Sequence, residues 1–269
     1  MRIAEWLAST STELADAMIP SAGLDAEIIL AHTINKPRTW LHAHSDDELD
    51  PRRKDIADAR AELRLERVPV AYIIGHKEFY GRKFHVNLDV LIPRPESEAI
   101  ITLFNTYSDD AKNVVDVGTG SGCLGITVKL EHPDASVTLI DTSRGALAVA
   151  KKNAATYDAT VRFIEGSLLD EYPLRADAII ANLPYVDASW PEQSPELKTE
   201  PAAALYADDD GLLLIKQLIK QAPDHLTPNG LLILEADPRQ HQRIVEQCQL
   251  QGIAHLATDG FALAFRYPA

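Results

Sequence analysis

The sequence predicts an α/β fold: a mostly parallel sheet covered by helices, an antiparallel hairpin at its C-terminal end, and a small helical domain ahead of it. Three observations lead there. From about residue 112, short runs of Val, Ile and Leu alternate with helical patterns, the order of β-α-β units. The last apolar pair, LATDGFALAFRY, brackets Asp259-Gly260, a turn that closes two strands antiparallel. Residues 1 to about 75 show helical spacing instead.

In chain order, LDAEIILAHTI places Leu24, Ile28 and Ala31 on one helical face. Ser45 to Glu48 fits a capping box, and Asp50-Pro51 is a second start signal with proline at the first helical position. RKDIADARAELRLE then reads as a charged helix with Ile56, Ala59 and Leu63 as its apolar side. Its alternating charges fit a solvated face with i,i+4 pairs. Tyr80-Gly81-Arg82 marks a hairpin turn, and Pro93 and Pro95 stiffen an extended segment. These signals predict a helical domain over 1–75, a hairpin and linker over 76–98, and an α/β domain over 99–269. In the last, NVVDV, SVTLID, TVRFIEG, ADAIIANLP and GLLILEA read as strands, and CLGITVKLEH, ALAVAKKNAA and GLLLIKQLIKQAP as helices.

Composition bounds the function. The chain has 269 residues, 46% hydrophobic and 25% charged, an ordinary globular balance that excludes disordered, collagenous and coiled-coil classes. A net charge of −14 disfavours phosphate neutralisation, so no direct nucleic-acid binding is expected. No apolar run approaches the ~18 residues of a membrane span, and the first residues lack a secretory pattern, so a cytoplasmic protein without a membrane partner is expected. Two cysteines form neither a disulfide framework nor a zinc spacing. His42 and His44 lack further ligands, and Asp208 to Gly211 reads as a helix cap rather than an ion loop, so no metal site is expected.

Chemistry concentrates where strands end, because ligands in an open α/β sheet sit beyond the carboxyl ends at the switch point. The first strand of the α/β part ends in Asp116-Val117-Gly118-Thr119-Gly120-Ser121-Gly122. Asp141 ends the next strand, where a carboxylate grips a ribose hydroxyl. Gly120, Gly122 and Gly125 also satisfy the dinucleotide fingerprint, a weak pattern by itself. Asp116 tips the choice toward S-adenosylmethionine, since a carboxylate there can meet a cationic amino group but would repel a pyrophosphate. Cys123 opens the following helix, where its thiol pKa could fall, and no catalytic task is assigned to it.

The fourth strand ends in Asn182-Leu183-Pro184-Tyr185, across the switch point from the glycine loop. An amide or exocyclic amine is a poor nucleophile because its lone pair is delocalised. Methylating one requires acceptors for its N–H groups. The Asn182 side-chain oxygen and the Leu183 carbonyl, held extended by Pro184, can serve. Tyr185 offers an aromatic face, and positioning rather than a strong base would carry the rate.

With these motifs together, the chain resembles the release factor glutamine methyltransferases. Val68 to Gly75 with Glu78-Phe79-Tyr80, Leu91 to Glu98, Asp116 to Gly122, Asp141, Asn182 to Tyr185, and Glu200 to Leu205 follow that family's order and spacing. The resemblance implies a Rossmann-like methyltransferase domain that moves a methyl group from S-adenosyl-L-methionine to the glutamine amide of the Gly-Gly-Gln motif in peptide-chain release factors. It also implies that the N-terminal domain holds the release factor; the protein is expected to be a monomer. The donor would meet Asp116, Gly118, Thr119, Gly120, Ser121, Gly122, Asp141, Ser167, Leu168 and Asn182. Asn182, Leu183, Pro184 and Tyr185 would carry the chemistry, and Arg94, Pro95 and Glu96 would form the substrate rim. Leu183 stands where the family usually has proline, and Gly166 to Asp170 departs from its usual adenine segment.

Other classes remain at this point. An adenine amino group on nucleic acid poses the same geometric problem but calls for a basic surface or base-flipping module. A nicotinamide-dependent dehydrogenase would not need the NLPY segment, and a non-catalytic module would bind partners through the helical domain. Glu235 and Asp237 end the fifth strand, where they could line the pocket, but read rather as solvated strand-end acids; Trp190 could shape the substrate entrance and reads rather as a loop anchor.

Overall fold

The computed structural model describes residues 1–108, 110–191 and 194–269. They form two compact units: Met1–His76 with Ser194–Thr199, and Lys77–Gln193 with Glu200–Ala269.

The smaller unit holds α1 (Ile3–Asp16), α2 (Ala22–Ile34), α3 (Arg38–Ala43), α4 (Pro51–Leu65) and α5 (Val70–Ile74). α4 starts as read, with Pro51 at its first position and the Asp50 side chain accepting from the Arg53 N–H. The capping box over Ser45 to Glu48 does not form. The carbonyls of Ser45 and Asp47 instead accept from the N–H groups of Ala4 and Ile3, satisfying the free donors at the start of α1. The amphipathic faces differ from the expected ones, in part for α2 and throughout for α4. α2 buries Ala31 as expected, together with Asp25, Ala26, Ile29, Leu30 and Thr33, while Ile28 is half-buried and Leu24 exposed. α4 buries Ala57, Ala61 and Arg64 while Ile56 and Leu63 are exposed. The cause is a buried ion pair that hydropathy cannot see. Arg64 Nε donates to Asp25 Oδ2 at 2.7 Å, and Arg64 Nη2 to Glu196 Oε1 at 3.0 Å. Burial pushes the Glu196 carboxyl up, but the Ser194 hydroxyl, a backbone N–H and Arg64 outweigh it and hold it at about 2.

The larger unit opens with the hairpin β1 (His76–Phe79) and β2 (Arg82–His85), turned at Tyr80-Gly81 with both φ positive. There follow α6 (Glu98–Tyr107), β3 (Asn113–Val117), α7 (Cys123–Glu131), β4 (Ser136–Asp141), α8 (Arg144–Thr156), β5 (Arg162–Glu165), β6 (Ala176–Ala181), α9 (Leu213–His225), β7 (Leu226–Glu235), α10 (His241–Leu250), β8 (Ala254–Asp259) and β9 (Ala262–Arg266). Among the described residues the main sheet runs β5-β4-β3-β6-β7-β9-β8. β3 through β7 pair parallel, and β9 lies antiparallel between β7 and β8. The inner strands β3, β4, β6, β7 and β9 are buried on both faces, so they read as apolar runs. Val115, Val117, Ile179, Ala181, Leu232 and Leu234 point to one core, and Val114, Ala178, Ile180, Leu231 and Ile233 to the other. The hairpin joins the second core through Phe79 and Phe84, and Asn153 of α8 bonds both the N–H and the carbonyl of His85. Among the described residues no helix is long and apolar enough to cross a membrane.

α9 departs from expectation in its cap. Its N-terminal N–H groups bond the carbonyls of Asp208 and Asp209, while the side chains of Asp209 and Asp210 pair with Lys216 and Arg243.

Candidate active site

The sheet register assembles the site. Val117 pairs with Ile140 on one side and with Ala181 on the other, and Ala181 pairs with Leu234. The next residues, Gly118, Asp141, Asn182 and Glu235, therefore emerge side by side at the carboxyl edge. The order reverses between β3 and β6, which is the switch point. A cavity of about 230 Å³ opens there.

The glycine loop forms one wall. Gly118, Gly120 and Gly122 all have positive φ, a conformation that costs other residues about 1 kcal/mol or more. A Cβ added at Gly118 would also stand 2.9 Å from Leu183 Cδ2, which would have to move aside. The N–H groups of Gly118 and Thr119 both bond the carbonyl of Ile140. Asp141 Oδ2 accepts from the Gly120 N–H at 2.9 Å and Oδ1 from Ser143 at 2.8 Å. Each of those carboxylate oxygens keeps a further lone pair.

Gly118, Thr119, Gly120, Ser121, Asp141, Ser167, Leu168, Asn182, Leu183, Pro184 and Arg94 line the cavity. Asp116, Gly122, Tyr185, Pro95 and Glu96 do not. Asp116 is the substantial departure, because it lies fully buried beneath the loop rather than facing a ligand. Its Oδ2 accepts from Thr119 Oγ1 at 2.6 Å and the Gly125 N–H at 2.9 Å, so it braces loop and helix. Burial raises its carboxyl to about 6, against the pull of those two donors. Gly122 sits at the start of α7, where a Cβ would stand 2.7 Å from Ile126 Cδ1. Tyr185 turns away from the cavity, and its hydroxyl donates to Glu235 Oε1 at 3.1 Å. Burial and that carboxylate raise the phenol pKa. Its carbonyl accepts from Gln240 Nε2 and packs where Gly211 (φ +78°) would place a Cβ at 1.9 Å.

Sequence reasoning missed several contributors. Ser97 lines the cavity, and its Oγ accepts from Asn182 Nδ2 at 3.0 Å. Glu200 accepts from the Ile92 N–H at 3.0 Å and from Arg94 Nη2 at 2.6 Å, locking the proline-arginine segment to the wall at Pro201, Ala203 and Ala204. Glu235, read as a solvated acid, is 1% exposed. Its only visible hint was an acid ending the apolar run GLLILE at the ligand edge of a sheet. Cys123 lines the cavity, but burial pushes its thiol up to about 12, the reverse of the expected helix-terminus effect. Arg239 stacks over Trp190, 3.9 Å from the ring centroid.

The cavity fits S-adenosylmethionine. Gly118 and Gly120 let the loop backbone itself face the cavity at two points of that wall. Val90, Leu91 and Leu168 offer apolar surface, and Asp141 faces the space with acceptor capacity left.

Comparisons with known proteins bear on the family and the fold. Residues 5–75 match the family model of the PrmC N-terminal domain, and residues 96–197 that of the methyltransferase small domain. The chain is 40% identical over 216 residues to the release factor glutamine methyltransferase of Neisseria gonorrhoeae, with 79% of each chain covered. It is 36% identical over 262 residues to the one of Cereibacter sphaeroides, covering 96% of this chain and 93% of that one. Among solved structures, a methyltransferase from Pyrococcus furiosus superposes with a TM-score of 0.56 at 18% identity, over 79% of this chain and 98% of that one. The 16S rRNA N2 G1207 methyltransferase of Thermus thermophilus, in complex with AdoMet and guanosine, gives 0.54 at 16% identity, over 72% and 50%. At such identities the structural likeness concerns the fold.

Proposed function

Since the chain belongs to the release factor glutamine methyltransferase family, and is thus an S-adenosylmethionine-dependent methyltransferase, we propose that it methylates the side-chain amide nitrogen of the glutamine in the Gly-Gly-Gln motif of peptide-chain release factors. The supporting observation is the meeting of the glycine loop and the Asn182 corner in one cavity. S-adenosylmethionine, when bound, supplies an electrophilic methyl group on a good leaving group.

The chain's own residues do the rest. The glycine loop and Asp141 hold the donor, Asp141 accepting from its ribose. Leu168 and Ser167 border the adenine, and Asp116 keeps the loop in shape from beneath. Asn182 Oδ1 and the Leu183 carbonyl accept the two N–H groups of the substrate amide and aim its nitrogen at the methyl carbon. Pro184 restricts Leu183 to extended backbone, so its carbonyl direction is fixed without the family's usual proline. Leu183 is itself buried against Gly118, which supplies stiffness by packing. Arg94, held by Glu200, borders the substrate entrance. Residues 1–75 hold the body of the release factor. Alignment of this kind can supply several kcal/mol of the barrier.

The test is incubation with labelled S-adenosylmethionine and a purified release factor, followed by peptide mapping. Label on the Gly-Gly-Gln glutamine is expected. An active preparation that leaves that peptide unlabelled would refute the reading.

A further inference from the structure

Two buried groups behind Asn182 have no part in the chemistry above. Glu235 ends β7 beside Asn182 in the sheet register and is 1% exposed. Its Oε1 accepts from the Tyr185 hydroxyl, while Oε2 has no hydrogen-bond partner among the described residues. Ser97, 2% exposed, accepts from Asn182 Nδ2. Burial raises the Glu235 carboxyl, while the Ser97 hydroxyl, the Tyr185 hydroxyl and the Asn182 amide draw it down; Glu96 is the nearby like charge. Oε2 is thus the oxygen left for the Ser97 hydroxyl to turn toward, and a buried acid that needs such a partner costs stability without it, so its presence calls for a functional reason.

We propose that Glu235 and Ser97 are positioning residues that fix which end of the Asn182 carboxamide faces the cavity. The inference rests on Asn182 being the acceptor for the substrate amide. A carboxamide has two ends of nearly equal shape, and only the oxygen end can accept a substrate N–H. Flipped, it would set donor against donor. A carboxylate can only accept, so Glu235 draws the hydrogens of the Ser97 and Tyr185 hydroxyls toward itself. Ser97 Oγ then has only lone pairs to offer Asn182. The NH₂ end is captured there, and Oδ1 is left for the substrate. The same carboxylate holds Tyr185, so one buried group sets both ends of the Asn182–Tyr185 corner. A neutral amide at 235 can donate as well as accept, which removes the polarity.

The full-length protein, a purified release factor and S-adenosylmethionine suffice for the test. Glu235→Gln and Ser97→Ala should each lower kcat about tenfold to hundredfold, with the Kd for S-adenosylmethionine by calorimetry within about twofold of wild type. Ser97→Thr, which keeps the hydroxyl, should recover most of what Ser97→Ala loses. Wild-type kcat in Glu235→Gln and Ser97→Ala overturns the inference. So does a parallel loss of cofactor affinity, or a Ser97→Thr variant as slow as Ser97→Ala. If Glu235→Gln does not fold, the two Ser97 variants decide. Asn182→Ala separates the levels: if it turns over at the wild-type rate, the Asn182 reading itself fails and takes this inference with it. If Asn182→Ala is inactive while the other variants are normal, only the inference fails.

Discussion

Asn182 and Asp141 emerge from strand ends on either side of β3 yet serve different partners in the proposed site, and their substitutions should part accordingly. Asn182→Ala should nearly abolish transfer and leave S-adenosylmethionine affinity largely intact. Asp141→Ala should weaken cofactor binding at least tenfold, the scale of one charge-assisted hydrogen bond. Calorimetry beside initial rates checks both, and an equal loss of both quantities in Asn182→Ala would contradict its role. Asp116 makes a pH-dependent prediction. Its carboxyl is raised to about 6 from an ordinary value near 3.8. Between those values the folded protein keeps a proton that the unfolded chain has released. Its contribution therefore lowers stability as pH climbs from about 4 to about 6, by about 3 kcal/mol in all, and then levels off. Asp116→Asn should remove that slope, which urea titrations of both proteins across this range would reveal. Gly118, Asp141 and Asn182 were legible because local backbone rules and strand ends assign them. Ser97, Glu200 and Glu235 were not. Their partners lie 85, 106 and 50 positions away in the chain, and only the fold makes them neighbours.

At the level of elements, the inner strands of the main sheet stood out because a strand buried on both faces must be largely apolar, and the edge strand β8 stood out through the Asp259-Gly260 turn that pairs it with β9. Of the smaller unit's helices, α2 and α4 were read individually, with the apolar face of α2 partly and that of α4 wholly misplaced. Hydropathy assigns charged residues outward, whereas α2 and α4 bury Asp25 and Arg64 against each other. α10 left little trace, since it buries only Ile244 and Cys248. The buried pair carries its own prediction. Arg64→Ala leaves the buried Asp25 without a cation, while Glu196 keeps Arg67 at 3.4 Å, and should cost about 3–5 kcal/mol. Urea unfolding followed by far-UV circular dichroism measures it, and a loss below about 1 kcal/mol would mean that the pair is solvated in solution.

For the molecule as a whole, the acidic balance and the α/β architecture were plain from composition and alternation. The division into units was only partly so, because Ser194–Thr199 leaves the larger unit's stretch of chain to join the helices, and no compositional change marks the detour. A ligand that binds only the folded state at 100 times its Kd stabilises by about 2.7 kcal/mol. At about 2–4 °C per kcal/mol for a chain of this size, S-adenosylhomocysteine should raise the melting temperature by roughly 5–10 °C, and NADH should not. A shift with NADH alone would favour a dinucleotide enzyme. The three tryptophans are Trp6, Trp40 and Trp190, and the third is the sole indole of the larger unit, with the Arg239 guanidinium lying on its ring. With Trp6 and Trp40 replaced by phenylalanine, the emission that remains comes from one chromophore beside a fixed cation, five residues beyond Tyr185. Its intensity and lifetime then give a label-free optical gauge of whether that loop shifts as ligands arrive.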